Sequence, residues 1–271
     1  MRATLITGAS GGIGEAFARR LAEEKHNLVL VARSEDKLRA LANELKAKHG
    51  ISANHIGVDL TDPDADKLVF AETEKIGIEI DWLINNAGFG SMGDFATLDL
   101  AQELRMVELN IACLVALTHR YLAGMRERRS GTILNVSSAA GFQPIPFMAT
   151  YAATKAFVTS FTEAVAEENR PYGIQILALC PGSTETNFHA AAKMDRAINV
   201  KGQESAEDVV QTAMKAVGSG RSKIVSGWTN WLVASGVNLL PNSFITRVLA
   251  KGMRPRFQTG RGLQSAKRNA D

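Results

Sequence analysis

Short, almost continuously apolar runs alternate with longer amphipathic stretches over the first two-thirds of the chain. Runs of this kind, rich in Val, Ile and Leu, are typical of strands buried on both faces of a parallel sheet. The predicted strands are Ala3–Thr7, Leu28–Val31, Ala53–Val58, Trp82–Ile84, Thr132–Val136 and Ile174–Leu179. Strands that alternate with helices in this way are joined by right-handed crossovers, so we predict an α/β fold with a doubly wound parallel sheet.

Helical periodicity fills the intervals between these strands and continues after the last of them. The predicted helices are Ile13–Glu24, Glu35–Lys48, Pro63–Ile76, Asp99–Met125, Thr150–Asn169 and Ser205–Val217, with a short strand at Lys223–Val225. Because no linker composition separates two units, we expect one domain over residues 1–255. Residues 256–271 are rich in Gly, Arg, Lys and Asn, and we expect a flexible basic tail.

The charge, cysteines and histidines argue against a nucleic-acid partner, a disulfide framework and a metal site. The net charge is only +3 and its excess lies largely in the tail, so no nucleic-acid partner is predicted. Cys113 and Cys180 each lie in an apolar run, which indicates buried, reduced thiols. The five histidines are scattered, so no metal site is predicted. The chain enters its first strand pattern without a signal-like segment, and we expect a cytoplasmic protein.

A glycine-rich turn, TGASGGIG, joins the first strand to the first helix. Glycines at such a turn let the backbone approach a pyrophosphate, while the helix N-terminus supplies free N–H donors. The spacing differs from G-x-G-x-x-G, and glycines also serve ordinary turns, but a position between strand and helix predicts a Rossmann-type dinucleotide site. The predicted contacts are Gly8, Ser10, Gly12, Ile13 and Gly14.

The end of the second predicted strand bears on the choice of dinucleotide. An NAD site would place Asp or Glu there to accept from the ribose 2′-hydroxyl, whereas this chain has Ala32-Arg33-Ser34. A guanidinium at Arg33 offers a charged donor fork to a 2′-phosphate, and Ser34 lies beside it. The sequence therefore predicts NADP(H), with a solvent-facing Arg33 as the alternative interpretation.

Of the three tyrosines, only Tyr151 has a lysine four residues later, and on a helix Tyr151 and Lys155 share one face. A phenol is a poor acid–base catalyst near neutral pH, and a neighbouring ammonium stabilises its anion. Ser138 stands thirteen residues before Tyr151, at the carboxyl end of a predicted strand, where substrates of parallel sheets bind. These residues predict proton transfer to or from a substrate oxygen. Ser137 is the alternative to Ser138.

Taken together, the motifs resemble the short-chain dehydrogenase/reductase superfamily, in its branch of about 250 residues. The matches cover roughly residues 1–190 and follow the family's order: Thr7-Gly8-x3-Gly12-x-Gly14, Asp59, Asn85-Asn86-Ala87-Gly88, Asn110, Ser138, Tyr151-x3-Lys155 and Pro181-Gly182-x3-Thr186.

This resemblance implies roles for the catalytic residues. Tyr151 would be the general acid/base, and Ser138 would orient the reacting oxygen. Lys155 would lower the tyrosine pKa and bind the nicotinamide ribose. Asn110 would help to hold a water that relays protons. The reaction would convert a carbonyl into an alcohol, or the reverse, by transfer of a hydride that the cofactor supplies or accepts.

The same resemblance assigns the remaining cofactor contacts, in a cofactor half of about residues 1–137 and a catalytic and substrate part of about 138–255. Asp59 and Leu60 would lie at the adenine, and Pro181 with Gly182 against the nicotinamide. The other contacts would be Asn86, Ala87 and Gly88 at the adenosine ribose, and Thr184 and Thr186 near the carboxamide or phosphates.

The last third of the chain bears on the substrate, the oligomeric state and contact with a membrane. Residues 187–203 follow the nicotinamide motif, and we expect a flap there, or a plain connector. No charged residue occurs from Ile224 to Thr246, and this stretch could pack over the substrate pocket, form a subunit contact or lie on a membrane surface. We favour the pocket, and hence an apolar substrate. The resemblance also implies a homodimer or homotetramer, held by the helices Asp99–Met125 and Thr150–Asn169.

Two other functions remain as alternatives. A catalytically silent NADP(H)-binding regulatory protein would share the sheet without turnover. A nucleotide-sugar epimerase or dehydratase would share Tyr-x3-Lys but needs a larger substrate region. The combined presence of Tyr151, Lys155, Ser138 and Asn110 favours the oxidoreductase.

Overall fold

A computed structural model describes residues 1–184, 203–237 and 240–258 of the chain. In this part of the chain, all the strands join one parallel sheet in the order β3-β2-β1-β4-β5-β6-β7. The strands are β1 (Arg2–Thr7), β2 (Leu28–Ala32), β3 (Ala53–Gly57), β4 (Glu79–Asn85), β5 (Gly131–Val136), β6 (Ile174–Cys180) and β7 (Lys223–Val225). The order reverses between β1 and β4, and such a switch point opens a crevice at the carboxyl edge of the sheet.

Helices cover both faces of the sheet. They are α1 (Gly12–Glu23), α2 (Glu35–His49), α3 (Ala65–Lys75), α4 (Leu100–Val107), α5 (Leu114–Arg128), α6 (Ala149–Asn169), α7 (Ala206–Ala216), α8 (Trp228–Val237) and α9 (Asn242–Gln258). One core cluster joins α1, α2 and α7 to the sheet, and a second joins α3 and α5 to the opposite face. The predicted doubly wound, Rossmann-type single domain is therefore confirmed.

Two departures from the predicted elements stand out: α8 and α9 were not predicted as helices, and the helix expected over Asp99–Met125 is divided. The structure divides it into α4, a π-helical turn at Glu108–Cys113, and α5, which follow one another without a break. A π turn adds a residue to the helical repeat, and a pattern of period 3.6 does not reveal it. Such turns are frequent at functional sites, and Asn110 lies within this one.

Toward the end of the chain, α9 continues to Gln258, three residues past the predicted domain boundary at residue 255. The predicted tail from residue 259 onward, and nearly all of the flap predicted over residues 187–203, lie outside the described residues. Cys113 and Cys180 are buried and unpaired, as predicted. Within the described ranges, no helix is long and apolar enough to cross a membrane.

Candidate active site

The glycine-rich turn after β1 is tied to the end of β4 by hydrogen bonds. The Thr7 hydroxyl accepts from the backbone N–H groups of Asn86 and Ala87 at 2.9 and 3.0 Å. The Asn86 side-chain amide donates in return to the Thr7 carbonyl at 2.9 Å. The side chain of Asn86 thus holds the turn in place, so this predicted cofactor-binding residue also has a structural role.

Two glycines of this turn cannot be replaced without a clash. Gly8 has a φ of +68°, and a Cβ added there would lie 2.8 Å from the Asn86 amide nitrogen. A Cβ on Gly14 would lie 2.3 Å from the Gly8 carbonyl oxygen. The turn therefore needs glycine for close approach of backbone to backbone, and it leaves the N-terminus of α1 open toward the crevice.

A groove of about 370 Å³ runs from this turn across the carboxyl ends of β2 and β3. Most of the predicted adenosine-side residues meet in its lining. The lining residues are Gly8, Ser10, Ala32, Arg33, Ser34, Val58, Asp59, Leu60, Thr61, Ala87, Gly88, Phe89, Gln102, Arg105 and Leu109. An elongated shape that joins a backbone N–H cradle to a guanidinium fits a dinucleotide that carries phosphate groups at both places.

The far end of the groove is more basic than the sequence suggested. Arg33 is exposed there, and it forms no ion pair within the described residues. Arg105 reaches the same end from α4, and its Nη2 donates to Asp59 Oδ2 at 2.8 Å and to the Thr61 hydroxyl at 2.9 Å. Arg105 was missed from sequence because no local motif relates it to Asp59, which precedes it by 46 positions.

Asp59 is held as a carboxylate at this basic end. Burial alone would raise its pKa, but hydrogen bonds from the backbone and hydroxyl of Thr61, with the charges of Arg105 and Arg33, lower it below its usual range. The Asp59 side chain is thereby directed by Thr61 and Arg105 into the groove lining.

The predicted catalytic residues lie together at the other end of the crevice. Tyr151 and Lys155 share one face of α6, and the Lys155 ammonium lies 5.9 Å from the centre of the Tyr151 ring. The ammonium donates to the Val136 carbonyl at the end of β5, at 2.9 Å. The hydroxyls of Tyr151 and Ser138 are hydrogen-bonded to each other. A phenol, an ammonium and a hydroxyl therefore converge where β5 ends.

The structure separates the two candidate serines. The Ser137 hydroxyl is buried against α6, where it donates to the Lys155 carbonyl at 2.7 Å and pairs with the Thr159 hydroxyl at 2.7 Å. Ser138 is half-buried and faces Tyr151. Because Ser137 is occupied within the core, Ser138 is the serine that faces the site.

Asn110 occupies the π-helical turn beside this cluster. Its side chain accepts from the Phe89 N–H at 3.2 Å, and donates to the Phe89 carbonyl at 3.0 Å and to the Thr154 hydroxyl at 3.1 Å. A Cβ on Gly88 would lie 2.9 Å from Asn110 Oδ1 and 3.4 Å from Lys155 Nζ. Asn110 therefore ties the loop after β4 to α6, next to the lysine.

Burial sets the protonation of both central groups in the protein without cofactor. It raises the pKa of Tyr151 to about 12, although the hydrogen bond from Ser138 opposes the rise. It lowers the pKa of Lys155 to about 8. The sequence-based expectation was a lowered tyrosine pKa. The direction differs because the phenol is desolvated and the nearby ammonium is directed at the Val136 carbonyl.

The lowered pKa of Lys155 predicts a pH-dependent stability. The unfolded lysine keeps a pKa near 10.5, so between about pH 8 and 10 the unfolded chain binds a proton that the folded chain has lost. The free energy of unfolding of the wild type should then rise with pH relative to Lys155→Met, by about 2 kcal/mol over that range. Urea unfolding at several pH values measures it. The exposed-site control Lys46→Met retains Lys155, so its free energy of unfolding should rise with pH as in the wild type. A Lys155→Met variant whose stability changes with pH as much as the wild type's would contradict the burial argument.

The loop after β6 contains the residues that the resemblance places against the nicotinamide. Pro181 is buried and Gly182 is half-buried, and a Cβ on Gly182 would lie 2.1 Å from the amide nitrogen of Asn230 in α8. Thr184 is buried, with its hydroxyl directed at the Gly182 carbonyl at 3.3 Å. Thr186 lies outside the described residues.

Behind this loop lies a polar cluster that the sequence did not reveal. Glu204 accepts from the Ser226 hydroxyl at 2.9 Å and from the Asn230 amide at 3.3 Å. Asn230 also donates to the Ser226 carbonyl at 2.8 Å. The cluster links the start of α8 to Gly182 and the loop after β6. Its residues come from separate elements, so only the fold brings them together.

A second cavity, of about 520 Å³, lies between α6, the loop that follows Ser138 and α9. Its lining is mostly apolar or small: Gly141, Phe142, Gln143, Pro144, Ile145, Pro146, Ala149, Ala152, Ala153, Ala156, Asn242 and Thr246. Tyr151 is not among these lining residues. Within the described residues the buried Gln143 Oε1 has no hydrogen-bond partner. The inner side of α9 therefore lies against a cavity next to the catalytic helix.

Comparison with known proteins adds an independent line of support. A family model for short chain dehydrogenases matches residues 2–197. The chain is 36% identical over 219 residues to a very-long-chain 3-oxoacyl-CoA reductase of Mus musculus, covering 79% of this chain and 68% of that protein. It is 32% identical over 269 residues to 17-beta-hydroxysteroid dehydrogenase type 3 of Mus musculus, covering 98% of this chain and 83% of that protein.

A solved structure shows the same similarity in three dimensions. A short-chain dehydrogenase from Sphingobium yanoikuyae in complex with NADPH matches 88% of this chain and 94% of its own, with a TM-score of 0.78 and 30% sequence identity. The similarity thus extends over most of the chain, including the groove and the cluster at the end of β5.

Proposed function

The chain belongs to the short-chain dehydrogenase family and is an oxidoreductase that acts on CH–OH or keto groups with a nicotinamide cofactor, and we propose that the cofactor is NADP(H) and the substrate an apolar ketone or aldehyde, or the matching alcohol. The observation that carries this proposal is the convergence of Tyr151, Ser138 and Lys155. Lys155 lies next to Gly88, a lining residue of the groove whose far end holds Arg33 and Arg105.

In this proposal NADP(H), when bound, supplies or accepts the hydride. Arg33 and Ser34 would hold the 2′-phosphate end, with Arg105 neutralising Asp59 beside them. The N-terminus of α1 would hold the pyrophosphate. Ala87, Gly88 and the loop after β6 would enclose the ribose and nicotinamide.

The protein's own residues would move the proton. Tyr151 would donate its phenol proton to the substrate oxygen on reduction, and take a proton back on oxidation. Ser138 would donate a hydrogen bond to the same oxygen. Lys155, brought close to the phenolate, would favour the deprotonated tyrosine electrostatically. Asn110 would keep the loop at Phe89 in place, and would help to hold the water that returns protons to Lys155.

The preference for an apolar substrate rests on the second cavity. Its alanine, proline, isoleucine and phenylalanine lining offers little to a hydrophilic acid, and it lies against α6, the helix that carries Tyr151. The relatives are named as a very-long-chain 3-oxoacyl-CoA reductase and a hydroxysteroid dehydrogenase. The test is a ketone series of rising chain length, monitored by NADPH absorbance. We expect kcat/KM to rise with apolar length, and a preference for short polar ketones would overturn this assignment.

We also propose a homodimer or homotetramer. Leu104 and Val107 on α4 and Phe157 on α6 are exposed in the single chain, on the two helices that the resemblance assigns to a subunit contact. The charged variant Leu104→Glu/Phe157→Glu should reduce the assembly to a monomer. The control Leu68→Glu, at an exposed position of α3, should not change the mass. Light scattering at micromolar concentration measures the mass. A monomeric wild type would contradict the proposal.

A reducing, cytoplasmic location is proposed on the two buried, unpaired cysteines. The alternative of a silent NADP(H)-binding protein has no feature in its favour beyond the cofactor groove. It differs from the enzyme in one measurable respect, since it would bind NADPH without hydride transfer to any carbonyl.

A further inference from the structure

The last quarter of the chain has a one-sided charge that the rest of the chain lacks. No Asp or Glu occurs between Asp208 and Asp271, although the whole chain contains 28 of them. The charged side chains of this interval are all Lys or Arg: Lys215, Arg221, Lys223, Arg247, Lys251, Arg254, Arg256, Arg261, Lys267 and Arg268. This interval includes α8 and α9, so neither helix carries an acidic residue.

The outer faces of these two helices are apolar and exposed. On α8, Trp228 is 75% exposed, Trp231 55% and Leu232 51%, at positions i, i+3 and i+4 of one helical face. Leu240, Phe244 and Val248 are each at least 50% exposed, before and along α9. We call these six residues the C-terminal apolar surface.

The inner faces of α8 and α9 face the rest of the protein. Ala234 of α8 and Ile245 of α9 are buried, and Asn242 and Thr246 line the second cavity. The outward side chains are therefore not needed to close the core. Two tryptophans and four large apolar residues at this exposure exceed the scattered apolar residues that an ordinary surface carries.

Cationic side chains accompany the C-terminal apolar surface on α9. Arg247, Lys251, Arg254 and Arg256 are exposed, and none of them forms an ion pair within the described residues. They lie on the same helix as the exposed Phe244 and Val248, and no ion pair within the described residues compensates their positive charge.

We propose that the C-terminal apolar surface docks on an anionic lipid bilayer, with α8 and α9 lying in its interface. Tryptophan favours the level of the lipid headgroups, and helices with an apolar face and flanking Lys or Arg bind there. The basic side chains would contact anionic headgroups. The proposal does not depend on the proposed reaction, although a membrane-held enzyme would have direct access to apolar substrates.

Two other occupants fit these observations less well. A second copy docked through the same surface would bring the cationic residues of both α9 helices together, and like charges oppose such a contact. The chain's own residues 259–271 include only one large apolar residue, Leu263, and are otherwise mostly basic, polar or small. Neither carries the net negative charge that would complement the cationic residues of α9.

The test is co-sedimentation of the full chain with phosphatidylcholine vesicles, prepared with and without phosphatidylglycerol. We expect binding that needs the anionic lipid and weakens with salt. The apolar variant Trp228→Ser/Trp231→Ser/Phe244→Ser should lose most of the bound fraction. The charge variant Arg247→Gln/Lys251→Gln should bind about fivefold more weakly for each charge removed. Leu68→Ser, which removes an exposed apolar side chain from α3, is the matched control and should bind as the wild type.

Tryptophan fluorescence gives a second reading on the folded protein. Trp82→Phe removes the tryptophan that packs edge-on against His26, and leaves Trp228 and Trp231 to report. Their emission should shift to the blue on addition of anionic vesicles. Absence of vesicle binding, or equal binding by the apolar variant and the wild type, would overturn the proposal. So would an apolar variant that loses an oligomer but keeps vesicle binding, because that result assigns the surface to a second copy.

Discussion

Replacing Tyr151 with phenylalanine is expected to lower kcat by about 10²–10⁴-fold while the affinity for NADPH stays essentially unchanged. The phenol is buried in hydrogen-bonding contact with Ser138 and on the same helical face as Lys155. Phenylalanine keeps the ring and its packing but removes the proton that the substrate oxygen must receive. Steady-state kinetics with NADPH and a saturating ketone measure the loss, and NADPH titration by fluorescence measures the retained affinity.

Tyr172→Phe is the matched control for this variant. Tyr172 is exposed and packs under the Arg126 guanidinium, and it precedes β6, at the edge of the sheet opposite to the carboxyl ends where the site lies. Its loss should leave kcat near that of the wild type. A near-native kcat for Tyr151→Phe would show that another group transfers the proton, and the role assigned to Tyr151 would be withdrawn.

The second large effect concerns cofactor choice. NADPH should bind the wild type about tenfold to more than a hundredfold more tightly than NADH, because a charge-assisted contact to the 2′-phosphate contributes roughly 1.5–3 kcal/mol. Arg33 is exposed at the groove end and forms no ion pair in the part of the chain that the structure describes. The double variant Ala32→Asp/Arg33→Gln should narrow or invert the preference, since a carboxylate repels phosphate and accepts from a 2′-hydroxyl.

Paired titrations with NADPH and NADH test this on the wild type, the double variant and Arg39→Gln. Arg39 lies on α2 outside the groove lining and should leave the ratio of affinities unchanged. Equal affinities of the wild type for both cofactors would mean that Arg33 faces solvent in the complex. Arg105 lines the same end, so Arg105→Gln distinguishes a shared phosphate site from a contact through Arg33 alone.

Much of the fold was predictable because its signals are local. Apolar runs and helical periodicity predict the strands and the helices through α7 to within a few residues, and the glycine turn predicts the crevice at β1. The helices α8 and α9 were not predicted, because their residues follow no clear helical pattern of apolar and polar positions. The π turn at Asn110 escaped prediction because one added residue leaves the helical pattern nearly unchanged. It is produced in the folded chain, where Asn110 bonds to Phe89 and Thr154.

The candidate site likewise contains residues that sequence spacing marks and residues that only the fold brings together. Tyr151 and Lys155 are related by helical spacing, which a sequence displays. The preference for Ser138 over Ser137 came from resemblance, and its physical reason is visible only when Ser137 bonds to Thr159 and the Lys155 carbonyl. Arg105 at Asp59 has no sequence spacing to mark it, since the fold alone brings α4 to β3.

The C-terminal third illustrates a case in which alternatives were separable only in three dimensions. From Ile224 to Thr246 the sequence allowed pocket packing, a subunit contact or a membrane contact. The structure divides the stretch by face, because Asn242 and Thr246 line the cavity while Trp228 and Phe244 lie exposed. Apolar content alone carries no information about which face a helix presents.

The central claim is hydride transfer between NADP(H) and a carbonyl carbon, and isotope transfer tests it most directly. The wild type is incubated with an apolar ketone and NADPH deuterated at one C4 position, in separate reactions for each of the two positions. We expect deuterium at the carbinol carbon of the alcohol from one of the two labelled cofactors, and about 10²–10⁴-fold slower transfer in a parallel reaction with Tyr151→Phe. NADPH that binds tightly yet delivers no deuterium to any ketone of the series, with no alcohol oxidised by NADP⁺ in the reverse direction, would contradict the account and identify a silent cofactor-binding protein.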